Sequence, residues 1–495
     1  MKARLRPSSS AAPAPRSGEG VTGTLHLLSF ICLALALLQD FGDFTLLALL
    51  LVLLSLGLVV AGLATSRSGG EGAPRRWWLT AVVAAGLSNL LNLGFPGWIG
   101  VRWSDGRDAA VIILVLALTA AASAAVASTR RAAVILALAG VLALGLLVAT
   151  WPAWGAAPID VFHVVTGGAG ALVHGSNPYR PVFSYVAAIT PSKVGEVSGH
   201  FAYGPIVPVL ASLGWLLGDV RVASVVALAA TVAGLWVLAR QQEPAIAPAR
   251  AVVALAICSP LAVAMVQDSW VEIYIVAGMV GWLALRRRHR PWAIAALAVA
   301  LLVNAITLVA LLPWLIWSRR ARFEGLVAAA AAVVFALPFA LATGIGNFLY
   351  DVIGIQVTLE PRYDALTLTS ALWQAWHLVL PSWLPVIPVL LAVAFIIRRG
   401  RPVRESDLPA MAALMVLATF LLAKWAFLNY YYVAAMMLLA ATASAGLESS
   451  SEDLALPDLR WPAAAGRRRR QASPSPARAA PTPAGDGASL LVPHD

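Results

Sequence analysis

The chain has 495 residues, of which 60% are hydrophobic and only 12% charged, and a mean hydropathy of +0.81 excludes a water-soluble globule. A formal charge of +11 would suit a nucleic-acid binder, but the arginines cluster between apolar runs: Arg75/Arg76, Arg130/Arg131, Arg286 to Arg288, Arg319/Arg320, Arg398/Arg399 and Arg467 to Arg470. This is the positive-inside pattern of a multi-pass, all-α helical membrane protein, and it leaves no stripe for nucleic acid. Cys32 and Cys258 both fall in apolar runs, where no disulfide framework is plausible.

Residues 1–22 are rich in Pro, Ala, Ser and Arg and cannot bury enough apolar surface to fold, so a disordered cytoplasmic tail is expected. Apolar runs then predict spans near 24–39, 44–65, 77–94, 109–127 and 132–152. The first two flank QDFGD and read as an uncleaved hairpin rather than a signal peptide. The helices of 23–131 carry no evident role. With the leader inside, Arg75/Arg76 and Arg130/Arg131 also fall inside, and the polar stretch 153–204 falls outside.

Within that stretch, Asp160, His163, Gly167, Gly170 and His174 recur at three and four residues, while Val161, Val164, Val165, Ala171 and Leu172 fill the other side. Such spacing predicts an interfacial helix whose polar face turns to a cavity. Its glycines would let a ligand or another backbone approach closely. The simpler alternative is an amphipathic loop helix that Asp160 merely caps.

Further spans are predicted near 205–217, 222–239, 250–266 and 270–285. The run 205–217 is too short to cross comfortably, so 205–239 reads as a broken hairpin that returns to the cytoplasm at Arg240. The segment 291–317 is flanked by RRRHR and SRRAR, both expected inside, so two half-length helices meeting near Asn304 fit better than one span. Spans near 324–343, 366–380, 383–398, 407–423 and 430–446 put a second polar loop, 344–365, outside, and 447–495 reads as a disordered cytoplasmic tail. In all, about 11–14 spanning or half-length helices are expected, by the length rule for spans.

Asp160 after an apolar run, a glycine-containing helix, GSNPY and FAYGP together resemble the first external loop of the GT-C superfamily of integral-membrane glycosyltransferases. The closest likeness is to glycosyltransferase family 87 and the actinobacterial polyprenyl-phosphate-mannose-dependent mannosyltransferases. VQDSW at 266–270, LLPWLIWSRR, PRYDALTLTS and KWAFLNYYY follow in the same order, so the resemblance spans 132–446. It implies a catalytic core in a bacterial plasma membrane, with the active site extracytoplasmic. The donor would be a polyprenyl-phosphate sugar, mannose by the closest likeness, and the acceptor a hydroxyl of a glycolipid or glycan. Transfer would be inverting, with Asp160 at the position of the general base. Attack by an alcohol needs a nearby proton acceptor, and a partly desolvated carboxylate has its basicity raised. Charge building on the leaving phosphate calls for cations or donors, for which Arg362, Lys424, Arg180, His163 and His174 are the candidates. Asn177, Tyr179 and Tyr203 stand in the loop motifs as substrate contacts. Five apolar segments precede the loop where the family pattern usually has one, and Asn304 stands where relatives often carry lysine.

Gln267, Asp268 and Glu272 read as an external helix end, with Asp268 and Glu272 on one face at i and i+4, where they could meet acceptor hydroxyls, a cation or only solvent. Asp105, Arg107 and Asp108 read as a solvated turn. Tyr430 to Tyr432 could line a sugar pocket or anchor the helix at the interface. No HExxH, CxxC, Walker loop or strand-borne GxGxxG is present, so no metal site or cofactor is expected. A transporter or flippase of lipid-linked saccharides would also account for the helix number and broken helices.

These assignments predict that cysteines placed at Ser184 and Ser473 react with a membrane-impermeant thiol reagent from opposite sides of the membrane. Labelling of both from one side would overturn the span order.

Overall fold

A computed structural model describes residues 21–37, 44–65, 159–190, 193–240, 252–253, 255–256, 259–358, 361–381, 383–400 and 406–444. The expected spans near 77–94, 109–127 and 132–152, the Asp105 cluster and both tails lie outside the described residues.

An apolar hairpin opens the fold: α1 (Val21–Leu37) and α2 (Leu46–Thr65). Ser29 and Ser55 join them reciprocally, each hydroxyl donating to the other residue's carbonyl at 2.9 and 3.0 Å. In a chain with little water to solvate it, such pairing lets two backbones approach. The helix expected at the interface follows as α3 (Asp160–Val173), then a β-hairpin of β1 (Phe183–Thr190) and β2 (Lys193–Gly199). Next come α4 (Ile206–Leu216) and α5 (Arg221–Arg240), then α6 (Pro260–Gln267) and α7 (Glu272–Leu285). The half-length pair is α8 (Arg290–Leu301) and α9 (Ile306–Trp317), followed by α10 (Arg319–Thr343). The second polar loop holds α11 (Ile345–Leu349), a π-turn at Tyr350–Gly354 and α12 (Ile355–Thr358). The chain closes with α13 (Leu368–Trp376), α14 (Val386–Arg399), α15 (Asp407–Leu421) and α16 (Leu428–Ala443). Among the described residues, three helices, α2, α5 and α10, are long and apolar enough to cross a membrane.

The expected break at Asn304 is present, and a glycine holds it. Residues 302–305 separate α8 from α9, and Gly204 of FAYGP donates its N–H to Val303 O at 3.0 Å. A Cβ on Gly204 would stand 1.8 Å from Leu302 O, so only glycine fits. Asn304 Oδ1 accepts from Ile306 N–H at 3.3 Å, starting α9.

Two expectations need correction. Residues 366–380 hold only the nine-residue α13, stopped by His377 in the left-handed region, which is too short to cross. The expected loop 153–204 contains the antiparallel pair β1–β2, in register from Phe183↔Gly199 to Thr190↔Lys193 with an irregularity at Ala188/Thr190. Consecutive small residues in β1 and glycines in β2 hide the period of two in the sequence.

Polar contacts gather at two ends of the helical body. At one, Glu324 is fully buried and accepts from Arg320 Nε at 2.8 Å and Trp282 Nε1 at 2.9 Å, with Arg290 and Arg286 at 3.6 and 3.7 Å. Arg286, Arg290 and Arg320 therefore also pin α7, α8 and α10 together. Arg399, likewise buried, donates to Leu63 O at 2.8 Å and pairs with Asp407 at 3.0 Å, tying α2 to α14 and α15. Along α7, Glu272 lies about 21 Å from Arg286 at 1.5 Å per residue, so the other polar end carries Glu272.

Gly204→Ala is expected to lower the thermal midpoint markedly. Overpacking usually costs ~1–3 kcal/mol, and here a backbone carbonyl, not a flexible side chain, obstructs. Gly57→Ala in α2, where an added Cβ meets nothing within 4 Å, should leave the midpoint unchanged or raised in the same assay.

Candidate functional site

Asp160 is the first residue of α3, and its Oδ1 accepts from Val161 N–H at 2.8 Å. That bond reaches only the adjacent N–H; Ile159 holds the capping position of α3, and no side chain caps it. Its surface is open, yet the protein massed around it strips enough water to raise its carboxyl above the usual range. The Val161 hydrogen bond and the charge of Arg362 oppose that rise. Open surface with strong desolvation is what a carboxylate lining a cleft experiences.

Arg362 comes from a strap, 361–367, held in place along its length. Arg362 N–H donates to Lys424 O and Leu366 N–H to Ala426 O, both at 3.0 Å, and Tyr431 OH donates to Leu366 O at 2.5 Å. The guanidinium makes a two-point fork to Asp364 at 2.8 and 2.5 Å and lies 4.9 Å from the Phe427 ring centre. Phe44, between α1 and α2, donates its N–H to Asp364 O at 2.6 Å. The N-terminal hairpin thus braces the strap, which supplies a role for part of 23–131. Lys424 lines a cavity of about 170 Å³ with Pro361, Tyr363, Thr369, Leu380 and Leu422. Val379, which also lines it, and nearby Leu378 and Trp383 expose apolar surface.

Tyr430 lies in electrostatic reach of both Asp160 and Glu272, and stacks on Phe420 at 4.4 Å. Glu272 in turn neighbours Asn429. Asp160 and Arg362, and Tyr430 with Asp160 and Glu272, therefore lie in electrostatic reach of one another from segments up to 270 positions apart (430 minus 160). Arg221 joins them unannounced: it is buried, paired with Asp219 at 3.3 Å, stacked 4.4 Å over Phe162 of α3, and in electrostatic reach of Asp268. The only sequence signal for it is an arginine opening a long apolar run.

Other expected site residues are occupied elsewhere. Tyr179 is buried against Phe201, Phe339 and Phe348 and donates to Tyr203 O at 2.6 Å, so it packs the loop instead of meeting a substrate. Tyr203 serves that contact through its carbonyl. Asn177 donates to Thr343 Oγ1 at 2.8 Å and accepts from Tyr179 N–H, closing the GSNPY turn on α10. Arg180 donates twice to Ala342 O, at 3.1 and 2.7 Å, a cation capping the carboxyl end of α10. His174 bonds Gly170 O at 2.7 Å and lies about 21 Å along α3 from Asp160, too far to share one phosphate with it. His163 stays beside Asp160.

Asp268 and Glu272 do not share a helix face. Ser269, at φ 55°, breaks the chain between α6 and α7, and both carboxylates are buried instead of solvated. Gln267 closes α6, its side chain outside the described positions. Tyr431 and Tyr432 are fully buried, leaving Tyr430 alone of the three partly open. Gly167 and Gly168 admit the rings of Phe183 and Phe201 at 2.5 Å from an added Cβ, so aromatic packing, not a ligand, takes that space.

Compared with protein-family models, curated proteins and solved structures, the chain matches none.

A carboxyl raised in the folded chain binds more protons than in the unfolded one between the two pKa values, so Asp160 takes stability away as pH rises through that window. Asp160→Asn is expected to melt higher than wild type at neutral pH, with the gap closing as pH falls to about 4, near an ordinary aspartate. A variant melting lower at neutral pH would make Asp160 a structural cap only.

Proposed function

We propose that the chain is a membrane glycosyltransferase of GT-C type, moving a sugar from a polyprenyl-phosphate donor to a glycolipid or glycan hydroxyl on the extracytoplasmic side. The observation that carries the reading is the meeting of an open, desolvated carboxylate with a fixed guanidinium at one end of an apolar protein. Asp160 takes the proton of the acceptor hydroxyl as its oxygen bonds to the anomeric carbon. The bond from that carbon to the phosphate oxygen breaks, and its electron pair leaves with the polyprenyl phosphate. Arg362 and Lys424 meet the charge that builds there, Arg362 as a planar fork and Lys424 as a point charge. The cavity beside Lys424, opening on exposed Val379 and Trp383, suits a phosphate carried on an apolar chain. Mannose is the sugar by sequence resemblance.

A transporter or flippase of lipid-linked saccharides is the second reading, favoured by the broken pair α8–α9. Purified protein in nanodiscs, given decaprenyl-phosphate mannose and an extract of glycolipid acceptors, separates the two. Asp160→Asn should lower turnover by roughly a hundredfold while donor lipid still binds. Arg362→Gln and Lys424→Met should weaken donor binding as well as turnover. Turnover of Asp160→Asn at the wild-type rate across pH removes the base. Saccharide movement across the bilayer without transfer establishes the transporter.

A further inference from the structure

The end of the body built around Glu324 carries more positive charge than its joints use. Segments 286–290 and 318–324 hold seven arginines against one carboxylate, Glu324, a surplus of six (7 minus 1). Arg286, Arg290 and Arg320 converge on Glu324, while Arg287, Arg288 and Arg319 are exposed. Arg322 does neither. Its Nε and Nη2 are sealed from solvent and donate to nothing among the described residues. A guanidinium keeps its proton at any ordinary pH, so it cannot relieve that position by neutralising.

Trp317 is in the same condition: it is 7% exposed, and its Nε1 also lacks an acceptor. Both side chains leave one turn. Ser318 follows Trp317 at the close of α9, caps α10 by accepting from Ala321 N–H at 3.1 Å, and takes Arg322 N–H on its carbonyl at 3.0 Å. Arg320 also donates to Arg286 O, which brings the 286–288 segment to this turn. Glu272 lies about 21 Å along α7 from Arg286, so the patch is no part of the site at Asp160.

The chemistry of the unmet atoms selects a ligand. All of them are donors, on or beside a fixed cation, and call for a group that offers only acceptors and carries negative charge. The surrounding surface narrows the choice. Phe323 and Leu326 of α10 are 54% and 71% exposed and Trp292 of α8 71%, and the Arg290 guanidinium lies 4.8 Å from the Phe323 ring centre. A free anion or an acidic peptide would leave that apolar rim in water. A lipid covers it with glycerol and acyl chain while setting its phosphate against the donors.

We propose that the α9–α10 turn binds the phosphodiester of an anionic lipid, with Arg322 and Trp317 Nε1 as direct donors and the exposed Arg319, Arg287 and Arg288 drawing the headgroup in. Trp292 and Phe323 flank the lipid, and the bound headgroup holds this end of α7, α8 and α10 at the membrane surface. The site is independent of whether the chain transfers or transports.

Native mass spectrometry of the full-length protein, titrated with dioleoyl phosphatidylglycerol or dioleoyl phosphatidylcholine, reads the binding, and the thermal midpoint in nanodiscs of each lipid reads its consequence. Wild type should bind phosphatidylglycerol at least about tenfold more tightly than phosphatidylcholine, the scale of a hydrogen bond to a charged group, and should melt higher in it. Arg322→Gln should abolish that preference, and Trp317→Phe, which keeps a ring but drops the N–H, should reduce it. Both should melt as wild type does in phosphatidylcholine, because neither removes a hydrogen bond within the chain. Arg240→Gln, which deletes the same charge at the exposed end of α5, should keep the wild-type preference. Equal loss in Arg240→Gln and Arg322→Gln, or no loss in Arg322→Gln, reduces the effect to net charge and overturns the proposal. A midpoint raised as much by inorganic phosphate in phosphatidylcholine makes the ligand a soluble anion, and lower melting of both turn variants in phosphatidylcholine makes the two side chains structural; either result also overturns it.

Discussion

The fork between Arg362 and Asp364 is the interaction on which the polar end of the molecule depends. It holds the guanidinium at two points, 2.8 and 2.5 Å, and it does so because Asp364 is itself held. Phe44 N–H reaches the Asp364 carbonyl from the N-terminal hairpin, and Arg362 N–H reaches Lys424 O from the strap. One ion pair thereby joins the first helices, the second polar loop and the entry to α16. In a chain that is 60% hydrophobic, a charge left without such support would neutralise or move to water. The fork instead keeps a fixed positive charge within reach of Asp160.

The two polar ends do different work. Around Glu324 three arginines and a tryptophan N–H converge on one fully buried carboxylate, which joins α7, α8 and α10. Around Asp160 the carboxylate surface is open, and the serine between α6 and α7 holds a left-handed backbone. A buried network paired as the one at Glu324 is rigidifies the helices it joins. The Gly204 contact with Leu302 and Val303 connects the two designs, fixing the α8–α9 break against the loop that carries α3.

Hydropathy and arginine placement make much of this architecture readable. The α1–α2 hairpin, the half-length pair at Asn304 and the final helices α14 to α16 follow from run lengths and flanking charge alone. Asp160, Arg362, Glu272 and Tyr430 are readable as polar residues that an apolar chain would otherwise exclude. What sequence conceals is partnership. Tyr179 and Asn177 look like ligand contacts because loop aromatics and amides often are, but only the fold puts Phe348 and Thr343 beside them. Arg221 and Asn429 escape notice because the partners that give them meaning, Phe162 and Glu272, come from elsewhere in the chain. The glycines of α3 carry the same ambiguity, resolved by the rings of Phe183 and Phe201.

The convergence of Asp160 and Arg362 is measured most directly by the ionisation of Asp160 itself, followed by infrared difference titration of its carboxyl stretch against an Asp160→Asn background. The midpoint should lie above that of an ordinary aspartate, because burial dominates, and should rise further in Arg362→Gln, because the opposing positive charge is removed. An Asp160 that titrates in the ordinary range, or a midpoint indifferent to Arg362→Gln, would contradict the shared site.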